Sequence, residues 1–132
     1  MTVNGSGSYQ VTSWDEKPYD EQQDAIKLTK AHFGTAFSGV IQGQGSAEYL
    51  MAYPGETSAS FVGLQRVTGS VGGRAGSFVL QASGSFDGAA ARAQWFVVPD
   101  SGTGELKGLA GTGGYVSGEG GAADITLDYD IS

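Results

Sequence analysis

Few side chains in this chain could carry acid–base, nucleophilic or metal-binding chemistry. His32 is the single histidine and cysteine is absent, so thiol nucleophiles and thiolate metal sites are excluded together. The alternation around Phe33 and Phe37 predicts that His32 points outward, where it cannot act as the base of a serine triad. No group of acidic residues has the spacing of metal ligands on a tight loop. We therefore expect no metal ion and no cofactor, and the catalytic residues of any reaction stay unknown.

The glycine-rich residues 102–114 could be taken for a phosphate-binding loop. The run lacks the G-x-x-x-x-G-K-[ST] pattern, and Lys107 stands where the dinucleotide fingerprint requires a glycine. The pattern of strand, turn and long helix that such loops need does not surround it. We interpret these glycines as turn residues.

The charge balance limits the partners of the chain. Its formal net charge is −7, from 14 acidic and 7 basic residues. A phosphate backbone or an anionic membrane surface would on average repel such a chain. The N-terminal residues lack the charged and apolar regions of a signal peptide, and no stretch is apolar for long enough to span a bilayer. We expect a cytoplasmic protein that binds neither nucleic acid nor a membrane.

Apolar and polar residues alternate with a period of two through most of the chain, as they do in half-buried strands. The clearest case is a meander over residues 47–86, with turns at residues 54–56 and 69–73. Trp14 falls out of phase with Tyr9 and Val11, which predicts a bulge late in the first strand. Strands are predicted over residues 7–14, 26–37, 40–53, 59–68, 77–86, 89–98, 115–116 and 123–131.

These strands predict an all-β fold with a single domain over residues 1–132. A loop is expected over residues 15–24, and one short helical turn is expected around Leu106 and Leu109. Closing eight antiparallel strands into a barrel removes the open edges of the sheet, so we predict an eight-stranded antiparallel barrel. A flattened sandwich is the alternative.

Four blocks of the sequence carry a family resemblance. They are EYLM at residues 48–51, FVGLQRVTG at 61–69, GRAGSFVLQ at 73–81 and GTGELKGLAG at 102–111. On these blocks the chain resembles the bacterial family called domain of unknown function three-two-two-four, over nearly its whole length. The resemblance implies an allene oxide cyclase-like barrel, in which eight strands surround a lumen. The family usually has an acid where this chain has Gln65 and often a histidine where it has Ala82, which implies that any acid–base pair of the family is missing here.

Strand parity predicts an aromatic lumen with little charge. Small residues such as Gly43, Gly45 and Gly63 leave space on the same face, and tyrosine hydroxyls with the Gln65 amide could orient a ligand. A barrel of this size can also be filled by its own side chains, and both possibilities stay open. The candidate ligand-binding residues are Tyr9, Phe33, Tyr49, Met51, Tyr53, Phe61, Gln65, Phe78, Leu80, Trp95 and Tyr129.

The sequence favours binding of a small apolar molecule in this lumen. The resemblance to the cyclase barrel adds a second hypothesis, a cofactor-independent cyclase or isomerase that folds a hydrophobic substrate for reaction. A structural or interaction protein with a filled barrel is the third.

Four apolar residues have outward parity and would leave an apolar outer surface, so we expect a homo-oligomer. They are Val62, Leu64, Phe96 and Val98.

Overall fold

The computed structural model describes residues 2–118 and 121–131 of the chain. Its strands form one closed barrel, in which each strand pairs antiparallel with its sequence neighbours and β1 pairs with β8. The predicted eight-stranded antiparallel barrel is confirmed. The strands are β1 (Val3–Asp20), β2 (Lys27–Gly39), β3 (Ile41–Tyr53), β4 (Ala59–Val71), β5 (Arg74–Phe86), β6 (Ala91–Val97), β7 (Leu109–Ser117) and β8 (Ala122–Ile131).

The alternation that predicted the strands also decides which side chains are buried. In β2, alternate residues from Thr29 to Phe37 are buried, while His32 between them is exposed as predicted. The same alternation continues in β3 and β4, where Tyr49 and Gln65 are buried. Successive side chains of a strand point to opposite faces, so the period of two in the sequence becomes an inside and an outside of the barrel.

One end of the barrel, called here the closed end, is filled with side chains. It carries the β2–β3 and β4–β5 hairpins and the β6–β7 connection. A 3₁₀ turn over Gly104–Leu106 packs against β5, and Leu106 is completely buried there. The prediction that Leu109 belongs to this turn is wrong, because Leu109 begins β7. That strand runs to Ser117 and is longer than the strand predicted over residues 115–116. Within the described residues, no helix is long and apolar enough to cross a membrane.

The β4–β5 hairpin at the closed end is tighter than the turn predicted over residues 69–73. Only Gly72 and Gly73 lie outside the strands, with φ angles of +59° and +84°. Two successive positive φ angles are typical of a type I′ turn, which glycine adopts without steric cost. Gly69 instead belongs to β4 and faces Gly43 of β3 so closely that a Cβ on either would collide with the other strand.

The loop predicted over residues 15–24 is wrong in its first half, because β1 continues to Asp20. Asp15 faces His32 and Pro18 faces Thr29 across the β1–β2 pair. In the part of the chain that the structure describes, β1 pairs with β8 only as far as Gln10, so its second half is an edge. A proline is tolerated on an edge strand, since no neighbour needs its missing N–H.

Candidate functional site

A cavity of about 450 Å³ opens at the end of the barrel opposite the closed end, called here the mouth. The predicted residues Tyr9, Phe33, Tyr49, Met51, Tyr53 and Phe61 line it. Its other lining residues are Val11, Trp14, Glu16, Phe86, Ala91, Tyr115, Ser117 and Gly121. The barrel therefore has an open half and a filled half, whereas the sequence posed these as alternatives for the whole lumen.

The remaining predicted residues do not line the cavity. Gln65, Phe78 and Leu80 are buried in the filled half, and the Gln65 Oε1 atom accepts a hydrogen bond from Thr35 Oγ1 at 2.7 Å. Trp95 lies beneath the cavity floor, with its ring 5.3 Å from that of Tyr115 and its Nε1 donating to the carbonyl of Thr126 at 3.0 Å. Tyr129 is near the closed end, with its hydroxyl against Gly72.

A continuous row of aromatic rings forms one wall of the cavity. The ring centroids of Trp14 and Phe33 are 4.9 Å apart in a stacked pair, and Phe33 meets Tyr49 edge-on at 4.9 Å. Tyr49 then stacks on Phe61 at 5.2 Å. Each such contact adds about 0.5–1.5 kcal/mol beyond the burial of its area, so the wall is preorganised.

Buried phenols form the floor of the cavity. The hydroxyls of Tyr49 and Tyr115 are 3.1 Å apart, and the ring of Tyr9 meets that of Tyr115 edge-on at 5.4 Å. Burial raises the pKa of Tyr49 to about 12. Burial also raises the pKa values of Tyr9 and Tyr115, and the nearby Tyr49 hydroxyl raises both of them further. The phenols therefore stay protonated at neutral pH, where they can donate and accept hydrogen bonds but not act as phenolate bases.

A bulge in β1 turns two further side chains toward the cavity. Val11 faces Thr35 and Ser13 faces Gly34, so Thr12 is the extra residue of the predicted bulge. Beyond it, Trp14 faces Phe33 and Glu16 faces Ala31, and both of these β2 residues point inward. One inserted residue exchanges the faces of all the residues that follow it.

Three neutral donors hold the Glu16 carboxylate at the mouth. Its Oε2 atom accepts a hydrogen bond from Thr29 Oγ1 at 2.6 Å and another from the Tyr53 hydroxyl, while Oε1 accepts from Trp14 Nε1 at 3.2 Å. Burial, together with the Glu16 hydrogen bond and charge, raises the pKa of Tyr53 to about 12. Tyr53 is therefore a donor to Glu16 at neutral pH.

Sequence reasoning missed Glu16 because its neighbours Asp15 and Lys17 gave the segment the composition of a loop. A usable signal was present. Trp14 was recognised as out of phase, and extending that shifted alternation by two residues would have placed Glu16 on the same inward face. Tyr115 was assigned to a strand, but that strand was too short for its parity to indicate a face.

The outward histidine belongs to a separate, exposed cluster on the outer wall. His32 Nδ1 lies 3.6 Å from Glu48 Oε1, and Lys30 Nζ lies 3.6 Å from Glu48 Oε2. Exposed pairs of this kind contribute about 0–1 kcal/mol each. Since the cluster faces away from the cavity, it has no part in the candidate site.

Comparison with known proteins places the chain among proteins whose role is not known. The family described as "Protein of unknown function (DUF3224)" matches residues 5–129. A crystal structure of a DUF3224 protein of unknown function from Shewanella oneidensis MR-1 is 29% identical, with a TM-score of 0.79, covering 100% of this chain and 99% of that chain. No curated protein matches. The family predicted from the sequence motifs is thus confirmed, while the finer likeness to the allene oxide cyclase barrel and the cyclase or isomerase hypothesis stay predictions.

Proposed function

The chain belongs to DUF3224, a family of proteins of unknown function, and we propose that it binds a small, largely apolar molecule in the cavity at the mouth of its barrel. The observation that carries this proposal is the aromatic wall around an open volume of about 450 Å³. Sites for small molecules are concave, mostly apolar and largely preformed, with volumes of about 300–1,000 Å³.

The polar groups of the cavity are few and fixed, which also supports a binding site. The Tyr49 and Tyr115 hydroxyls on the floor hydrogen-bond to each other, and Glu16 is oriented by Trp14, Thr29 and Tyr53. A ligand would find apolar ring faces for most of its surface and a small number of oriented hydrogen-bonding groups. The cost of ordering these groups has already been met in the folded protein, which favours binding.

The filled half of the barrel explains how the protein can have an open cavity at its mouth and remain stable. Phe78, Leu80 and Leu106 are completely buried at the closed end. Full burial of a large apolar side chain stabilises a fold by about 1.5–3 kcal/mol. The proposal thus assigns stability to the filled half of the barrel and ligand binding to the open half.

The test is binding of the neutral dye N-phenylnaphthylamine, followed by its fluorescence. Ala91 lines the cavity at the start of β6, so Ala91→Phe should fill part of it and weaken binding at least tenfold. Ala36→Phe, the same substitution at an exposed position of β2, should leave binding unchanged. If the wild type does not bind the dye, or if both variants bind it as the wild type does, the proposed function is wrong.

A further inference from the structure

Glu16 is the one charged side chain among the described residues that line the cavity. The other lining residues are aromatic side chains, aliphatic side chains, the thioether Met51, a serine and a glycine. A carboxylate is costly to keep beside apolar rings unless something compensates its charge. If no cation of the protein pairs with Glu16, a cationic group on the ligand would compensate its charge.

No basic side chain in the described part of the chain forms an ion pair with this carboxylate. Its three hydrogen-bond donors, from Trp14, Thr29 and Tyr53, are all neutral. Lys17 lies 3.8 Å from Asp15, and the Lys27 Nζ atom is placed over the ring of Tyr53, 5.0 Å from its centroid. Lys27 also lines a second pocket together with Glu16 and Tyr53, but among the described residues neither it nor any other basic group forms an ion pair with Glu16.

The rings around Glu16 have the electrostatics that favour a cation. Trp14 and Tyr53 both donate to the carboxylate, so their rings lie directly beside it. Trp14 stacks on Phe33 but is still 50% exposed, which leaves part of its ring accessible from the mouth. The negative face of an aromatic ring attracts an organic cation, and a net charge of −7 attracts cations to the molecule as a whole.

We propose that the ligand is a small organic cation, an apolar or aromatic body carrying an ammonium group, with the ammonium held between the Glu16 carboxylate and the rings of Trp14 and Tyr53. This proposal rests on the proposed function and specifies its ligand class. The body of the ligand fills the cavity between the aromatic wall and the phenol floor. A neutral alcohol of the same shape could use the apolar contacts but would gain no ion pair.

The experiment measures displacement of N-phenylnaphthylamine by three compounds of similar shape, namely phenylethylammonium, phenylethanol and phenylacetate. We expect phenylethylammonium to bind at least tenfold more tightly than phenylethanol, and phenylacetate to bind more weakly than either. Added salt should reduce the preference for the ammonium, since ion pairs near a surface are screened.

Glu16→Gln removes the charge and keeps the shape of the side chain, although the amide nitrogen cannot accept a hydrogen bond as a carboxylate oxygen does. It should lower ammonium binding to the level of the alcohol. Glu48→Gln removes the same charge from the outer wall and should preserve the preference. Trp14→Leu, at a half-exposed position with little risk to folding, should reduce the preference without abolishing binding of the alcohol. Circular dichroism of each variant checks that the barrel is intact.

The outcomes separate this proposal from the one on which it rests. If the dye binds but ammonium and alcohol bind equally, the cationic ligand is wrong and the binding cavity stands. An equal loss of preference in Glu16→Gln and Glu48→Gln would show that only the overall charge acts, which also overturns the site at Glu16. If neither the dye nor any of the three compounds binds, both proposals are wrong.

Discussion

At the scale of single residues, the depth of a side chain along the barrel matters as much as the face to which it points. Gln65 and Tyr49 both point inward, as their alternation predicted. Tyr49 lines the cavity, whereas Gln65 is 1% exposed and bonded to Thr35. Alternation reports inside or outside but carries no information on height within the barrel, so the two could not be distinguished from the sequence.

Gln65→Leu should destabilise the protein without weakening ligand binding. The substitution leaves the buried Thr35 hydroxyl without its partner, which costs about 1–3 kcal/mol of the free energy of unfolding. Gln94→Leu, the same change at an exposed position of β6, should alter it by less than about 0.5 kcal/mol. Urea denaturation and dye binding measure the two effects. A loss of dye affinity in folded Gln65→Leu would contradict the placement of Gln65 outside the cavity.

The buried phenols predict a loss of stability in alkali. Burial raises the pKa of Tyr49 from 10.0 to about 12, so the folded state favours the neutral phenol. This contribution is fully present below pH 10 and is lost as the pH rises through about 12. Urea denaturation over this range should show the decline. Tyr49→Phe, which cannot ionise, should decline less steeply than the wild type, and equal declines would count against the assignment.

At the scale of elements, the sequence-based prediction was accurate where the alternation of inward and outward residues continues without interruption along a strand. Strands β2 to β5 run without interruption, and their predicted faces agree with the structure. β1 differs because one extra residue, Thr12, exchanges the two faces, and because an edge strand can carry polar residues that resemble a loop. Glu16, the charged residue of the candidate site, follows this bulge and lies within the edge part of β1.

Two single-residue deletions in β1 should differ in their effect on the preference for the ammonium ligand. Deleting Asp15 makes Trp14 and Glu16 adjacent, so they must point to opposite faces whichever of them keeps its partner on β2. Deleting Thr12 removes only the extra residue of the bulge and leaves both side chains facing the cavity. The displacement assay should show a lost ammonium preference in the first variant and a retained one in the second. The same preference in both would refute this account of the bulge.

At the scale of the whole molecule, the outer wall carries apolar side chains that the barrel itself does not bury. Leu50 of β3 faces Val62 of β4, and with Leu64 they are 48%, 46% and 52% exposed. Phe96 on β6 is 39% exposed, whereas Val98 is half-buried beyond the end of that strand. Exposed apolar residues grouped on one face are typical of interaction surfaces, so homo-oligomerisation stays a prediction.

Self-association through this face should be visible in sedimentation velocity at protein concentrations of tens of micromolar, an order-of-magnitude range for a small interface. Leu64→Gln should shift the distribution toward the monomer. Ile26→Gln replaces an equally exposed apolar side chain in the β1–β2 loop, outside this face, and should leave the distribution as in the wild type. A wild type that sediments as a monomer throughout would exclude the expected oligomer.

Because one end of the barrel is filled, amide hydrogens should exchange with solvent at very different rates along the molecule. Strand residues around the 3₁₀ turn at Gly104–Leu106 can exchange only when the packed half opens, which requires nearly global unfolding. The half of β1 beyond Gln10 lacks a described partner on its β8 side, so its amide hydrogens should exchange quickly through local opening. A bound ligand would directly slow amide exchange in that half of β1 and around the mouth. The slowest amides, which exchange through global unfolding, would slow only because the ligand increases the free energy of unfolding.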